Sequence, residues 1–367
     1  MDCSERNSVA HLSNGSRRRI LICGYYGEHN LGDDALLAVL LSQIQGQWIP
    51  VITANDQKAV EALAPGSETV NRRSLKSVLT ALRNVDALVL GGGSLLQDAT
   101  STRSLMYYII LIWCAKSLQK PVFLWGQGLG PLKRRISRLL VRTTLKTLSS
   151  VTWRDPGAMK QAIEWKLKVP MKMGPDPVWT HPAPTWRSGK SLVVCWRPTP
   201  LLNHKGWLKL VNALSRLSEM HDCHVIWLAF HAHQDSDLFH HLSQENIVPS
   251  NLEKRSSTVT AESIRQVQKL FSQSKMVIAM RLHALILAAV GGVPTSALSY
   301  DPKVKAAAEL SSILCTELSN AISEEELIDQ WSIAMQKPLD GSNINTLTNE
   351  AKVHSLILNE KLQELTI

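Results

Sequence analysis

The chain has 367 residues, 44% of them hydrophobic and 19% charged, which excludes a mainly disordered polypeptide and leaves room for about two domains. Its 40 Lys and Arg against 31 Asp and Glu give a formal charge of +9, which points to an anionic partner: a phosphorylated substrate, nucleic acid or an anionic membrane. The excess is concentrated, since no acidic residue falls between Asp98 and Asp155 while ten basic ones do.

The longest apolar run, 105–115, is shorter than the roughly 20 residues a bilayer span needs. Arg17, Arg18 and Arg19 precede the apolar run 20–23, but Gly24 ends it, so no signal peptide is expected. Six cysteines are scattered without a CxxC pair. They imply a reducing compartment and no zinc site.

Residues 1–18 read as a loose tail. Short apolar strands are expected at 20–23, 48–53, 87–90, 121–125 and 150–153, with helices at 33–45, 105–116 and 133–148 between them. The stretch 174–190 holds four prolines and reads as a linker. The pattern then restarts, with strands at 192–196, 224–230, 276–280 and 294–298. Helices are expected at 206–220, 261–272, 282–290 and 304–310, and a last one near 346–362. Strands alternating with helices imply parallel sheets. The expected organisation is a tail over 1–18, an α/β domain over 19–175, a linker over 176–190, a second α/β domain over 191–335, and a C-terminal tail and helix over 336–367. Two such halves leave a cleft between the carboxyl ends of their sheets.

Three strands of the first half end in glycine: GYYGEHNLGDD from Gly24, GGGS from Gly91 and GQGLGP from Gly126. Glycine allows a positive φ and close approach of a ligand, and a helix start after such a turn favours an anion. None is a GxGxxG or Walker sequence, which disfavours an ordinary nicotinamide enzyme or P-loop NTPase. Asp33 and Asp34 stand at a helix start, where Asp commonly caps.

In the second half, Arg281 and His283 lie where a strand runs into a helix. There they would either hold an anion and move a proton, or serve as a cap and a satisfied core histidine. Arg197 and Lys303 follow two other strands, so three strand ends each carry a cation. His231, His233 and Asp235 match no standard zinc spacing and read as structural. Arg134, Arg138, Arg142 and Lys146 form a basic stripe, with Ile136, Leu139, Leu140 and Leu148 as its apolar positions. That stripe is either a solvated face or a contact with an anionic membrane. Interleaved aromatics are lacking, which weakens a nucleic-acid reading.

Taken together, GYYGEHNLGDDALL, LVLGGGSLLQD, WGQGLGP, TWRDPGA, GPDPVW, MRLHALILA and SYDPKV, in this order over about 19–310, resemble the polysaccharide pyruvyl transferases, in particular the CsaB type that acts on cell-surface polymers. The resemblance implies a GT-B-like fold of two Rossmann-like domains with parallel sheets facing a central cleft. It implies transfer of the pyruvyl group of phosphoenolpyruvate, a co-substrate, to a polysaccharide sugar or its lipid-linked precursor. The product is a cyclic ketal, and no cofactor or metal is required. His283 and Arg154 are then the expected catalytic residues. Arg281, Arg197 and Lys303 are expected to clamp the donor's anionic groups, and Asn30, Gly32, Asp33, Gly92, Gly93, Gln127 and Gly128 to shape the acceptor side. The expected location is cytoplasmic, or peripheral at the inner membrane face through the helix 133–148. The sequence departs from the family pattern at AFHAHQD, where a proline is expected before Phe230. The competing function is a GT-B glycosyltransferase using a nucleotide sugar.

Overall fold

The computed structural model describes residues 18–44, 46, 48–337 and 339–366. The expected N-terminal tail lies outside them, except for Arg18, which opens the first strand. The first sheet is built from β1 (Arg18–Tyr26), β2 (Trp48–Ala54), β3 (Glu68–Asn71), β4 (Ala87–Leu90), β5 (Val122–Gln127), β6 (Ser150–Trp153) and β7 (Met171–Met173). All pairings are parallel, in the order β3-β2-β1-β4-β5-β6-β7.

The second sheet holds β8 (Ser191–Cys195), β9 (His224–Ala229), β10 (Ser256–Thr260), β11 (Met276–Ala279), β12 (Thr295–Ser299) and β13 (Cys315–Glu317). Its order is β10-β9-β8-β11-β12-β13, again all parallel. Each sheet therefore reverses direction once, at β1/β4 and at β8/β11, and ligands of such sheets bind at those reversals.

Parallel strands covered on both faces must be apolar throughout. Ile20 to Cys23 and Leu192 to Cys195 are completely buried, as that rule demands. One apolar core runs through both halves, joining Ile22 and Trp125 to Val193, Val277 and the helix Leu282–Val290. The halves also meet through main chain. Leu31 N donates to Phe230 O at 3.2 Å and Ala232 N to His29 O at 3.0 Å, which makes a short antiparallel bridge between Asn30 and His231.

Two expectations need correction. The last helix is two helices, Gly341–Ala351 and Val353–Glu364, broken at Lys352. They leave the second half and pack on the first: His354 Nε2 lies 2.8 Å from Pro175 O, and Asn359 Nδ2 donates to Gln43 O at 2.9 Å. The basic helix spans Arg135–Leu145, and its packed face is Ser137, Val141, Thr144 and Leu145. Ile136 and Leu139, two of the apolar positions of this helix, are 66% and 63% exposed.

Candidate functional site

The site is built from loops at the carboxyl ends of both sheets. Asn30 caps the helix Leu31–Gln43, its Oδ1 accepting from Gly32 N at 3.1 Å while its Nδ2 donates to Asp33 Oδ2 at 2.5 Å. This fixes the Asp33 carboxylate at the cleft floor. After β4, Gly93 takes φ +111°, a left-handed conformation that only glycine adopts without strain. It carries the chain into Ser94.

Gln127 is fully buried and braces this loop: its Nε2 donates to Gly91 O, and Gly128 N donates to Gly93 O at 2.7 Å. Gln127 and Gly92, which lies under Leu36, therefore support the loop from beneath. Gly93 lines the cleft itself. A Cβ on Gly128 would run into Ser94 Oγ, so that glycine keeps Ser94 in place.

Arg154 follows β6, and Asp176 stands just before a one-turn helix, Pro177–Thr180. Arg154 Nη1 and Asp176 Oδ2 are 2.7 Å apart, and both side chains are 7% exposed. From the second half, His283 in the first turn of Leu282–Val290 brings Nε2 to 3.5 Å from the same Asp176 oxygen. Burial pushes the Asp176 carboxyl up, but the His283 and Arg154 charges beside it outweigh this and hold it well below the usual carboxylate range. Burial pushes Asp33 up to about 6, against the pull of His283 and Arg154. Asp34 is pushed up to about 7 by burial and by Asp33.

Lys303, in the first turn of Pro302–Leu310, crosses from the second half and donates to Ser94 Oγ at 2.9 Å. Burial first, then Arg154, push its ammonium below the ordinary lysine range. Arg154, Asp176, Lys303 and Leu282 line a small pocket of about 40 Å³. Ser94 and Asp33 belong to the floor of the larger cleft, about 940 Å³, so the Lys303–Ser94 bond stands at the junction of the two. Tyr25, Glu28, Arg72, Arg103 and Tyr107 are among the residues lining that cleft. Tyr25 is 40% exposed, with the Arg72 guanidinium 4.6 Å from its ring centre. Arg72 is itself anchored on Glu28 at 2.7 Å.

Arg281 and Arg197 reach the same cleft, each already partnered. Arg281 Nε donates to Asp235 Oδ2 at 3.0 Å and its Nη2 reaches Asp235 Oδ1 and Gln234. Asp235 also accepts from His231 N at 2.8 Å, so this cluster is an ion pair within the second half that holds the His231 segment beside Asn30. Arg197 lies over Tyr300 and donates to its hydroxyl at 3.2 Å.

The structure thus gathers His283, Arg154, Lys303, Asn30, Gly32, Asp33 and Gly93 at one place. Sequence reasoning missed Asp176 and Ser94. Asp176 lay inside the stretch read as linker, and its signal was a lone carboxylate between Pro175 and Pro177.

A family model for polysaccharide pyruvyl transferase matches residues 30–302, the span that supplies nearly all of these side chains. The chain belongs to the polysaccharide pyruvyl transferase family. No curated protein matches the sequence significantly. Among solved structures, the UDP-GlcNAc 2-epimerase of Methanocaldococcus jannaschii is similar over 95% of this chain and 99% of its own, with TM-score 0.64 and 14% identity. UGT2 of Phytolacca americana, solved with UDP-2fluoro-glucose and pterostilbene, is similar over 95% and 99%, with TM-score 0.58 and 13% identity. Anabaena HepE, solved with UDP and glucose, covers the same shares at TM-score 0.55 and 12% identity. At such identities the likeness is one of fold, and the fold of this family member is GT-B-like. Among the described residues, no helix of the transferase is long and apolar enough to cross a membrane.

Proposed function

We propose that the protein transfers the pyruvyl group of phosphoenolpyruvate to two hydroxyls of one sugar in a cell-surface polysaccharide or its lipid-linked precursor. The observation that carries this reading is the convergence of Arg154 and Lys303 from opposite halves beside His283. Phosphoenolpyruvate bears a phosphate and a carboxylate, and a donor seated in that junction meets a cation from each domain. The Lys303 ammonium would exchange its Ser94 partner for the donor.

In the proposed reaction His283 gives a proton to the methylene carbon, which becomes a methyl group. The positive charge that develops at C2 is shared with its oxygen. A sugar hydroxyl adds to C2 and loses its proton, for which Asp33 is the carboxylate facing the acceptor. The C2–O bond to the phosphoryl group then breaks and inorganic phosphate leaves. The second hydroxyl adds to the same carbon, gives its proton back to His283 and closes the ketal, while the proton taken by Asp33 leaves on the phosphate. Asp176 does not touch the substrate; it orients the imidazole. The acceptor sugar occupies the larger cleft, where Tyr25 offers an aromatic face and Arg72, Arg103 and Glu28 offer polar contacts.

The test is phosphate release from phosphoenolpyruvate with and without a panel of saccharide and lipid-linked acceptors, for the wild type and His283→Ala. Acceptor-dependent release that the variant loses supports the proposal. No release with any acceptor, together with tight binding of a nucleoside diphosphate, supports the glycosyltransferase reading instead.

A further inference from the structure

Two neighbouring helices of the first half carry a surface that the reaction does not use. The helix Thr102–Ser117 and the helix Arg135–Leu145 lie side by side and run parallel: Arg134 Nη1 donates to Thr102 Oγ1 at 2.6 Å at one end, and Trp113 Nε1 to Thr144 Oγ1 at 3.0 Å at the other. Met106, Ile110 and Trp113 follow one another at i, i+4 and i+7 on the first helix and are 37–42% exposed. Ile136 and Leu139 on the second are more exposed still. By helical spacing Ile136 lies on the flank nearer Thr144, and hence nearer Trp113, while Leu139 lies farther round on the outward face, beside Arg135 and Lys146. Four large apolar side chains thus lie along one seam, with Leu139 just outward of it, and large apolar patches on a surface mark a docking site.

What surrounds them decides the partner. Arg135, Arg138, Arg142 and Lys146 form an exposed stripe along the outer flank of the second helix, and Arg103 and Lys116 are exposed on the first. The acids that bracket this stretch in sequence are taken up by backbone caps: Asp98 accepts from Lys133 N at 2.6 Å and Arg134 N at 3.0 Å, and Asp155 from Ala158 N at 2.7 Å. Apolar side chains framed by uncompensated cations match the interface of an anionic bilayer, where acyl chains lie beneath phosphate headgroups. The patch also meets the cleft, because Ser101, Arg103, Ser104 and Tyr107 line the cleft mouth one turn from Met106 and Ile110.

We propose that this paired-helix face docks the protein in the headgroup layer of an anionic membrane. The docked cleft mouth would then face the lipid surface and receive the sugar of a lipid-linked acceptor. The orientation toward substrate rests on the function proposed above, whereas the docking itself does not.

The experiment is sedimentation of the full chain with vesicles of phosphatidylcholine alone or with about 30% phosphatidylglycerol. It compares the wild type, Ile136→Ser/Leu139→Ser and Arg142→Glu/Lys146→Glu. All four positions are exposed, and circular dichroism checks that each variant is folded. Expected are binding to the anionic vesicles only, and a drop of about tenfold or more in each variant. Wild-type binding that is absent, or equal on neutral vesicles, overturns the proposal. So does an apolar variant that binds as well as the wild type, which would mean plain electrostatic adsorption. Vesicle binding needs no turnover, so its outcome is independent of the phosphate-release assay. If both proposals hold, the apolar variant keeps its rate on a water-soluble acceptor and loses rate on one presented in vesicles.

Discussion

Gly32 and His283, one from each half, occupy a space that has no room for another carbon. A Cβ on Gly32 would press into His283 Nδ1 and stand 3.1 Å from Cγ and 3.3 Å from Cε1. Gly32 sits in the first turn of a helix, where alanine is an excellent helix former. Gly32→Ala should therefore fold and yet displace the imidazole. Shifts of about 1 Å in a catalytic group cost on the order of 100-fold in rate. The expected result is a kcat reduced by about that factor with an unchanged circular dichroism spectrum. A wild-type kcat would show that the glycine does not serve the imidazole.

Asp176→Asn keeps the shape of the carboxylate and removes its charge. Arg154 is then left 7% exposed without a counter-ion. Breaking one side of a buried ion pair costs about 3 kcal/mol or more. Urea unfolding should show a lower midpoint with an unchanged slope. Activity measured well below that midpoint should also fall, because the carboxylate that orients His283 is gone.

The pH dependence of turnover follows from Asp33. Its carboxyl titrates near 6 and must be ionised to take the hydroxyl proton. The acidic limb of the kcat/KM profile should therefore have its midpoint near pH 6. In Asp33→Asn the rate should be lower throughout and that limb should vanish. An unchanged limb in the variant would assign it to another group.

Stability depends on pH through His354, a completely buried imidazole whose pKa burial lowers to about 4 from 6.5. The unfolded chain binds its proton below 6.5 and the folded chain only near 4. This histidine's contribution is thus present above 6.5 and is lost as pH falls toward 4, by up to about 3 kcal/mol. His354→Leu should be the less stable protein at pH 7, and the gap should narrow on acidification. Asp33 and Asp34 shift in the opposite sense, but they do so in both proteins and cancel in the difference. Urea midpoints of the two proteins at pH 7 and pH 4.5 measure the effect.

The sequence made the centres of both sheets legible and hid their margins. β4 falls where an apolar run of four residues places it, and β6 coincides with the strand expected at 150–153. The strands left unread were β3, β7, β10 and β13, and these are the outer strands of the two sheets. An outer strand is covered on fewer sides, so it needs little apolar content, and ETVN, MKM, SSTVT and CTE carry no buried run. His283, Arg154 and Lys303 were legible because motifs at strand ends carry them. Asp176 was not, because prolines on both sides suggested a spacer, whereas its carboxylate stands between Arg154 and His283. For Ile136 and Leu139 the sequence left open what they face. Spacing shows that two residues share a helix face, but not whether that face meets protein.

The return of Val353–Glu364 to the first half has a consequence for how the chain is made. That helix packs against β5, β6 and β7, and its His354 sits edge-on to Trp125 at 6.1 Å between ring centres. A ribosome that has finished the first sheet has not yet produced its cover. Trp125 and its neighbours must wait, apolar and partly unprotected, while the whole second half is synthesised. The two halves are therefore not independent folding units, although each has a complete sheet. A chain that stops at residue 340 should be captured by chaperones or aggregate, even though it contains every residue assigned to the reaction.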